Sequence, residues 1–281
     1  MSRLTDVSVN AEQPGVIGPQ RWDNAQAKRG DRMRRVGVLG LRLTPLLLVI
    51  ALWEWAGRTR GSSLTFPPAS DVAVAFSRLV QDPELWKATA VTVQSFIFGF
   101  GLALIVAIPV GLAAARYRPM DRLSAVYLRI LMTAPLAPLV PIMVGVFGIG
   151  MASRVALVFV FAVAVMALNT QAGVRHVDRG LVDMATSFGA NEVTTFRKIR
   201  FPGAVPAIMA GVRLGAARGV VGMVVAELII VSVGLGRLLN HYRGFFKAAE
   251  MFAVVIVILL IGVAVLLTVK WTERKLTAWK R

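Results

Sequence analysis

Two charged residues stand inside an otherwise apolar segment of this 281-residue sequence, and they are the first candidates for chemistry. Arg213 and Glu227 both fall within residues 203–233, where the only other charge is Arg218. A guanidinium in a low-dielectric environment pairs strongly with carboxylate, sulfonate or nitrate oxygens. Two interpretations stay open for each residue: an ion pair with a neighbouring helix, or a place on a path for a polar solute.

Other chemistries have few residues to carry them. The chain has no cysteine, which excludes a disulfide, a thiolate zinc site and an iron–sulfur cluster. Its two histidines, His176 and His241, fall in loops predicted to lie on opposite sides of a membrane, so we expect no metal site. A G-x-x-x-x-G-K-[ST] phosphate loop is also missing, and Gly234 with Gly236 forms an isolated G-x-G that predicts a turn. We therefore predict no catalytic residues.

The composition indicates a membrane protein. Hydrophobic residues make up 56% of the chain and charged residues 17%, with a net charge of +17 and a mean hydropathy of +0.67. In a soluble protein this positive charge would suggest nucleic acid. The hydropathy decides against that partner, because the same excess is expected in cytoplasmic loops and next to anionic lipid.

Apolar runs long enough to cross a bilayer recur along the chain. They predict an all-α integral membrane protein with six transmembrane helices in one domain, 36–281, after a flexible, basic cytoplasmic tail at 1–35. The predicted spans are about 36–55, 88–115, 123–149, 154–174, 203–231 and 251–269.

The basic residues predict the orientation of these spans. With the N-terminus inside, Lys and Arg number 20 in the segments predicted to be cytoplasmic and 8 in those predicted to be external. This asymmetry favours cytoplasmic N- and C-termini. It also places Arg154 in an external turn between the third and fourth spans.

The third predicted span contains three prolines within seven residues, Pro135, Pro138 and Pro141. Each one removes a backbone donor and clashes with the preceding turn, so this span must be broken or strongly kinked. Inside a membrane such a break needs protein or a water-filled cavity to satisfy the backbone. A packing kink and a role of Pro135 and Pro138 in a translocation path both remain open.

The fifth predicted span has a stripe of small residues. On an ideal helix the stripe covers about 80° of arc, which lets another helix approach closely. Arg213 and Glu227 are predicted to point away from it, with Arg213 near mid-membrane, ~15 Å along the helix from Pro202. The helix-packing residues of the stripe are Gly211, Gly215, Gly219 and Gly222.

The longest internal loop, 175–202, is too polar to span a membrane but has a helical pattern. One apolar stripe runs from Leu181 to Phe188, and a second begins at Val193 after the interruption at Gly189. The pattern predicts two short amphipathic helices joined at Gly189, the second ended by Pro202. Such a hairpin either docks another protein or covers the base of this one.

Residues of this loop resemble the EAA-loop signature of ABC-importer permeases. The resemblance rests on Asp183-Met184-Ala185, then Gly189, Ile199 and Pro202, with Asp183 where the family usually has Glu. Flanking segments resemble the nitrate/sulfonate/taurine branch of the family, over about 67–281. They include LNTQAGVRHVD, TAPLAPLVPIMVGVFGIG and AIMAGVRLGAARGVVGMVVAEL.

The resemblance implies a type I importer permease fold in a bacterial inner membrane, with cytoplasmic coupling helices. It also implies a homodimer, two ATPase subunits that bind the ATP and Mg, and an extracytoplasmic substrate-binding protein. The chain itself would hold no cofactor, and the solute would be small and anionic: a sulfonate, nitrate, a taurine-like molecule or an organic acid. The coupling residues would be Asp183, Ala185, Gly189, Ile199 and Pro202.

An ion-coupled secondary transporter is the main alternative function. It would need intramembrane acids, often within inverted repeats. Glu227 is the one strong candidate acid within a predicted span, and no repeat is visible in the sequence.

Overall fold

The computed structural model describes residues 44–45, 47–59, 65–230 and 233–277. The predicted tail, 1–35, and the start of the first predicted span lie outside these residues. The chain divides into two compact units, Met1–Trp53 and Glu54–Arg281. In the first unit the described residues are helical, and in the second every regular element that is described is a helix.

The described helices are numbered here in chain order. The first, α1, covers 47–59. The others are α2 (Ala69–Leu79), α3 (Pro83–Arg116), α4 (Arg118–Thr133), α5 (Leu136–Phe147), α6 (Met151–Arg175), α7 (Arg179–Ser187), α8 (Glu192–Thr195), α9 (Phe201–Ile229), α10 (Gly234–Gly244) and α11 (Ala248–Leu276), with one π-helical turn at Phe196–Arg200.

The structure supports an all-helical membrane protein, with four or five candidate spans among the described residues. Within the described residues four helices are long and apolar enough to cross a membrane: Pro83–Arg116, Met151–Arg175, Glu192–Ile229 and Ala248–Leu276. The pair Arg118–Thr133 and Pro138–Phe147 would make a fifth, bent by 115°.

The bend confirms that the proline-rich span is broken. It lies at Ala134, whose ψ of 132° leaves the helical region just before Pro135. This is the position that proline restricts, because its ring clashes with a helical preceding residue. Pro138 then falls in the first turn of α5, where a missing N–H breaks no intrahelical bond.

The second helix of the loop at 175–202 is not separate, so that prediction was wrong. Residues Glu192–Ile229 form one continuous helix that carries the loop directly into the span. Pro202 was expected to end a helix, but it lies in the first turn of α9. The π turn before it explains this result, because Phe201 N–H bonds the Phe196 carbonyl and the chain absorbs the proline without a break.

Helix α6 forms the centre of the bundle, with α3 and α9 packed against it. Most residues of α6 are buried, and many of them are alanine or valine. Two glycines of α3 allow a close approach: a Cβ on Gly99 would lie 2.6 Å from the Val155 carbonyl oxygen, and one on Gly111 would lie 2.5 Å from that of Ala167.

The four glycines of the α9 stripe are buried and also face α6. A Cβ on Gly211 would lie 2.6 Å from the Cβ of Asn169, and one on Gly222 would lie 3.0 Å from Phe161. Gly215 would meet the side chain of Met166, and Gly219 would contact Val158 and Ala162 of α6 and Phe96 of α3.

We predict that Gly111→Ala destabilises the protein, whereas Gly101→Ala on the same helix does not. The new methyl at 111 would press on the backbone of α6, and overpacking of this kind costs about 1–3 kcal/mol. At Gly101 nothing lies within 4 Å of the added carbon, and alanine favours the helix by up to about 1 kcal/mol. Thermal unfolding of the detergent-solubilised variants checks this prediction. Equal midpoints would show that the close approach of α3 to α6 does not limit the stability of the protein.

Candidate functional site

Helix α7 and the turn after it form an exposed ridge. All nine residues of α7 are described and none is buried. Leu181 and Met184 are about half exposed, and Phe188 is 85% exposed. An apolar face that its own chain does not cover is typical of a protein contact surface.

Local bonds fix the shape of this ridge. The side chain of Asp178 accepts a bond from Gly180 N–H at 2.8 Å and caps the start of α7. At its end Gly189 has a φ of +77°, which glycine adopts without strain. Ala190 N–H then bonds the Ala185 carbonyl at 3.0 Å, so Gly189 closes a Schellman motif.

The five predicted coupling residues divide between two elements. Asp183 and Gly189 are exposed and Ala185 is half buried, all on α7 or its closing turn. Ile199 and Pro202 are half buried and lie where the π turn joins α9. The structure therefore does not gather all five on one ridge.

An ion pair anchors the segment after the ridge to the bundle. Arg116, at the end of α3, bonds Glu192 at 2.6 Å where the long helix begins.

At the opposite end of α9 lies a buried charge cluster. Arg154 Nη1 bonds Glu227 Oε1 at 2.8 Å, and each residue is 1% exposed. Thr92 on α3 donates to the same carboxylate oxygen at 2.8 Å. The cluster joins α3, α6 and α9 at one point, and we call Thr92, Arg154 and Glu227 the outer clamp.

The outer clamp also holds residues that lie between the described parts of α9 and α10. Arg154 Nη2 bonds the carbonyl oxygen of Ile230 at 2.9 Å and also that of Val233. Gly236 N–H donates to Glu227 Oε2, and Leu235 N–H donates to Thr92 Oγ1 at 3.2 Å. These bonds give partners to backbone groups that lie outside a helix and have no access to water. A membrane protein must satisfy such groups internally.

Two glycines make room for this arrangement. Gly234 has a φ of +71°, and a Cβ there would lie 2.5 Å from Arg154 Nη1. A Cβ on Gly236 would collide with the backbone carbonyl of Glu227. The isolated G-x-G was expected to be a turn, but it forms the start of α10. It passes tightly over the buried ion pair.

The structure corrects two expectations about these charges. Glu227 does not point away from the glycine stripe. It bonds Arg154 of α6, and Gly222 of the stripe contacts Phe161, which lies seven residues further along α6. Glu227 and the stripe therefore face the same helix. Arg154 is not a residue of an external turn: it lies in the first turn of α6 and is buried. The sequence held one signal for this ion pair: a lone acid in an apolar span requires a cation as its partner.

Arg213 has a different partner and a different location. Its guanidinium bonds Glu273 of α11 at 3.0 and 3.2 Å. The side chains are 46% and 17% exposed, so the pair is open on one side. Glu273 lies in the last turns of α11, after the sixth predicted span, and Arg213 lies in the half of α9 that is nearer to α7.

Each of the two charged candidates of α9 therefore has an ion-pair partner within the chain. This is the first of the two arrangements that the sequence left open. The pairs lie about 21 Å apart along α9, since 14 residues separate Arg213 from Glu227.

Comparison with known proteins identifies the class to which this helical membrane chain belongs. Residues 107–278 match the family model described as "Binding-protein-dependent transport system inner membrane component", well over half of the chain. The chain belongs to this family.

Two relatives and one solved structure are similar over most of the chain. The riboflavin transport system permease protein RibX of Chloroflexus aurantiacus is 32% identical over 244 residues, 86% of this chain and 90% of its own length. The taurine transport system permease protein TauC of Escherichia coli (strain K12) is 28% identical over 241 residues, 84% and 88% of the two chains. An inward-facing structure of the MetNI methionine ABC transporter gives a TM-score of 0.52 at 19% identity, covering 69% of this chain and 94% of its own.

The family sets the general function. The chain is the membrane permease component of a binding-protein-dependent ABC importer, and it is a multi-pass inner membrane protein. Permeases of this family have no ATPase site and no cofactor, as the sequence predicted. An importer of this kind implies an ATPase and a binding protein as partners.

We predict that Glu227→Gln lowers the stability of the chain far more than Glu84→Gln. The first change leaves the buried charge of Arg154 without a counterion, and breaking a buried pair costs about 3–5 kcal/mol. The second breaks the Arg237–Glu84 pair, whose side chains are about half exposed, and such pairs contribute about 0–1 kcal/mol. Thermal unfolding in detergent compares the two, and similar midpoints would mean that the buried pair is not a major stabilising contact.

Proposed function

We propose that this chain forms half of the path for a small anionic solute, driven by ATPase subunits that dock on α7. The observation that carries the proposal is the exposed ridge of α7, joined to a span by one uninterrupted helix, Glu192–Ile229. A force applied at the ridge can reach the span, because no flexible joint interrupts this helix after α8 begins. Alternating access needs such a connection between a nucleotide-driven subunit and the membrane helices.

The proposed second subunit is another copy of this chain. The centre of the described bundle is filled, because α6 packs closely against α3 and α9 through glycine and alanine. Much of α3 and α11 stays open in the single chain. A path between two copies fits this arrangement better than a path through one.

Both termini are proposed to be cytoplasmic. The excess of Lys and Arg in the loops on that side supports this orientation. Arg213 adds a second argument, because it ties the last turns of α11 to the half of α9 nearest α7. The end of α11 therefore lies on the same side of the bundle as α7, where the ATPase is proposed to dock.

Arg213 is the proposed contact for the solute's negative charge, with the break at Pro135 and Pro138 as a second path candidate. The half-exposed guanidinium can exchange its bonds to Glu273 for bonds to a sulfonate or carboxylate. Taurine, named for one relative, carries a sulfonate, and this supports an anionic group. Riboflavin, named for the other, is uncharged at neutral pH, so Arg213 is the residue that tests the choice.

We predict that Arg213→Gln abolishes uptake, whereas Glu273→Gln leaves it intact or raises it. If Arg213 binds the solute, removing its competitor Glu273 frees the guanidinium. If Arg213 only pairs with Glu273, both variants lose the same contact and behave alike. The measurement is uptake, by cells or proteoliposomes, of the solute carried by the system's binding protein, with assembly verified by co-purification of the ATPase. Equal uptake by the two variants would contradict the anion contact.

We predict that Asp183→Arg reduces co-purification of the ATPase by about tenfold or more, the effect of losing one strong interface contact. The control is Asp71→Arg, a charge reversal at an exposed residue in the first turn of α2. Asp82 is less suitable as a control, because its side chain caps α3 and a reversal there would also disturb that helix. If both reversals leave the yield of ATPase unchanged, α7 is not the docking surface.

A further inference from the structure

The outer clamp lies at the end of the same helix that begins at the coupling segment. Glu227 is two residues before the end of α9, and the cytoplasmic extension of that helix starts at Glu192. Helix α10 begins at Gly234, immediately after the chain held by Arg154. One continuous helix of about 57 Å therefore runs from the turn after the ridge to the residues that precede α10.

Helix α10 has a buried face and an exposed face. Leu235, Leu238 and Leu239 are buried against the bundle. At its far end His241, Arg243, Phe245 and Phe246 are exposed, on the side of the bundle opposite α7. That side is where the binding protein of an importer delivers its solute, so α10 offers a surface it can reach.

We propose that Arg154, Glu227 and Thr92 are positioning residues that transmit docking of the binding protein from α10 to α9. The clamp fixes the start of α10 to the end of α9, so a displacement of α10 moves α9 and the coupling segment with it. This inference rests on the proposed function, because it assumes that α7 docks the ATPase.

The chemistry of the clamp fits a positioning role better than a purely stabilising one. A buried ion pair stabilises a fold less than apolar residues of similar volume, and its best-supported use is to fix a particular arrangement. Arg154 makes directed bonds to a carboxylate and to two carbonyls of the connecting chain. These three bonds tie α6 to the end of α9 and to the residue before α10.

Arg154→Lys and Thr92→Val test the proposal in the complex of permease, ATPase and binding protein. Lysine keeps the positive charge but lacks the second nitrogen that holds the connecting chain. Valine keeps the shape of Thr92 and removes its bonds to Glu227 and Leu235. Ser95→Ala is the matched control, since Ser95 is a buried hydroxyl of the same helix that bonds only its own helix, at the Val91 carbonyl.

The expected result is a loss of coupling without a loss of activity. Stimulation of the ATPase by solute-loaded binding protein should fall about tenfold in both clamp variants, within the range of site-to-site coupling. Basal ATPase activity and co-purification should stay at the level of the unaltered complex, and Ser95→Ala should keep full stimulation. Stimulation that survives in both clamp variants, or basal activity that falls as far as stimulation, would overturn the transmission role.

A second measurement tests the clamp without relying on transport. The chain has no cysteine, so Leu239→Cys gives one label site on the buried face of α10. Its reaction with a maleimide in the isolated permease should be about tenfold faster when Arg154→Lys is added, since local opening exposes buried groups. Ile208→Cys, buried in α9, should react at an unchanged rate. Equal rates at Leu239→Cys with and without Arg154→Lys would overturn the clamp.

The two measurements also separate this inference from the proposed function. If the unaltered complex shows no stimulation by its binding protein, the proposed function fails and the transmission role fails with it. The maleimide reaction then still decides whether Arg154 fixes α10 to the bundle.

Discussion

The close approach of α3 and α9 to α6 is the contact on which the rest of the structure depends. Lipid is as apolar as leucine, so burial of apolar side chains does not drive these helices together and close packing must do so. Glycine on α3 and α9, facing alanine, valine and carbonyl groups of α6, supplies that packing. The buried ion pair of Arg154 and Glu227 joins two of these three helices.

The same environment explains where charge is found. The backbone between α9 and α10 leaves the helix in the bundle interior, and Arg154 with Glu227 supplies the missing hydrogen-bond partners there. Nearer the middle of the same helix, Arg213 is about half exposed and its partner Glu273 is partly exposed. The helix therefore has a closed charge pair at its end and a more accessible pair about 21 Å away.

The two ends of this helix also differ in what they present to other proteins. Before the start of the helix, α7 is largely exposed, with Phe188 projecting from the turn after it. Beyond the closed pair α10 is held on the bundle and exposes its far end. An importer of this kind implies an ATPase and a binding protein as partners, and the long helix would connect the two surfaces proposed for them.

The sequence by itself determined the membrane class, the family and the local breaks. Hydropathy indicated the spans, the prolines 135, 138 and 141 predicted a break or kink, and Gly189 was predicted to end the first helix of the loop. These are local effects of residue type. The merging of the second loop helix into α9, the burial of Arg154 and the partners of Glu227 and Arg213 were decided only by the tertiary structure. A helical periodicity gives the direction of a side chain on its own helix, but which neighbour it meets depends on how separate helices pack, and that contact joins residues as far apart in sequence as Thr92 and Glu227.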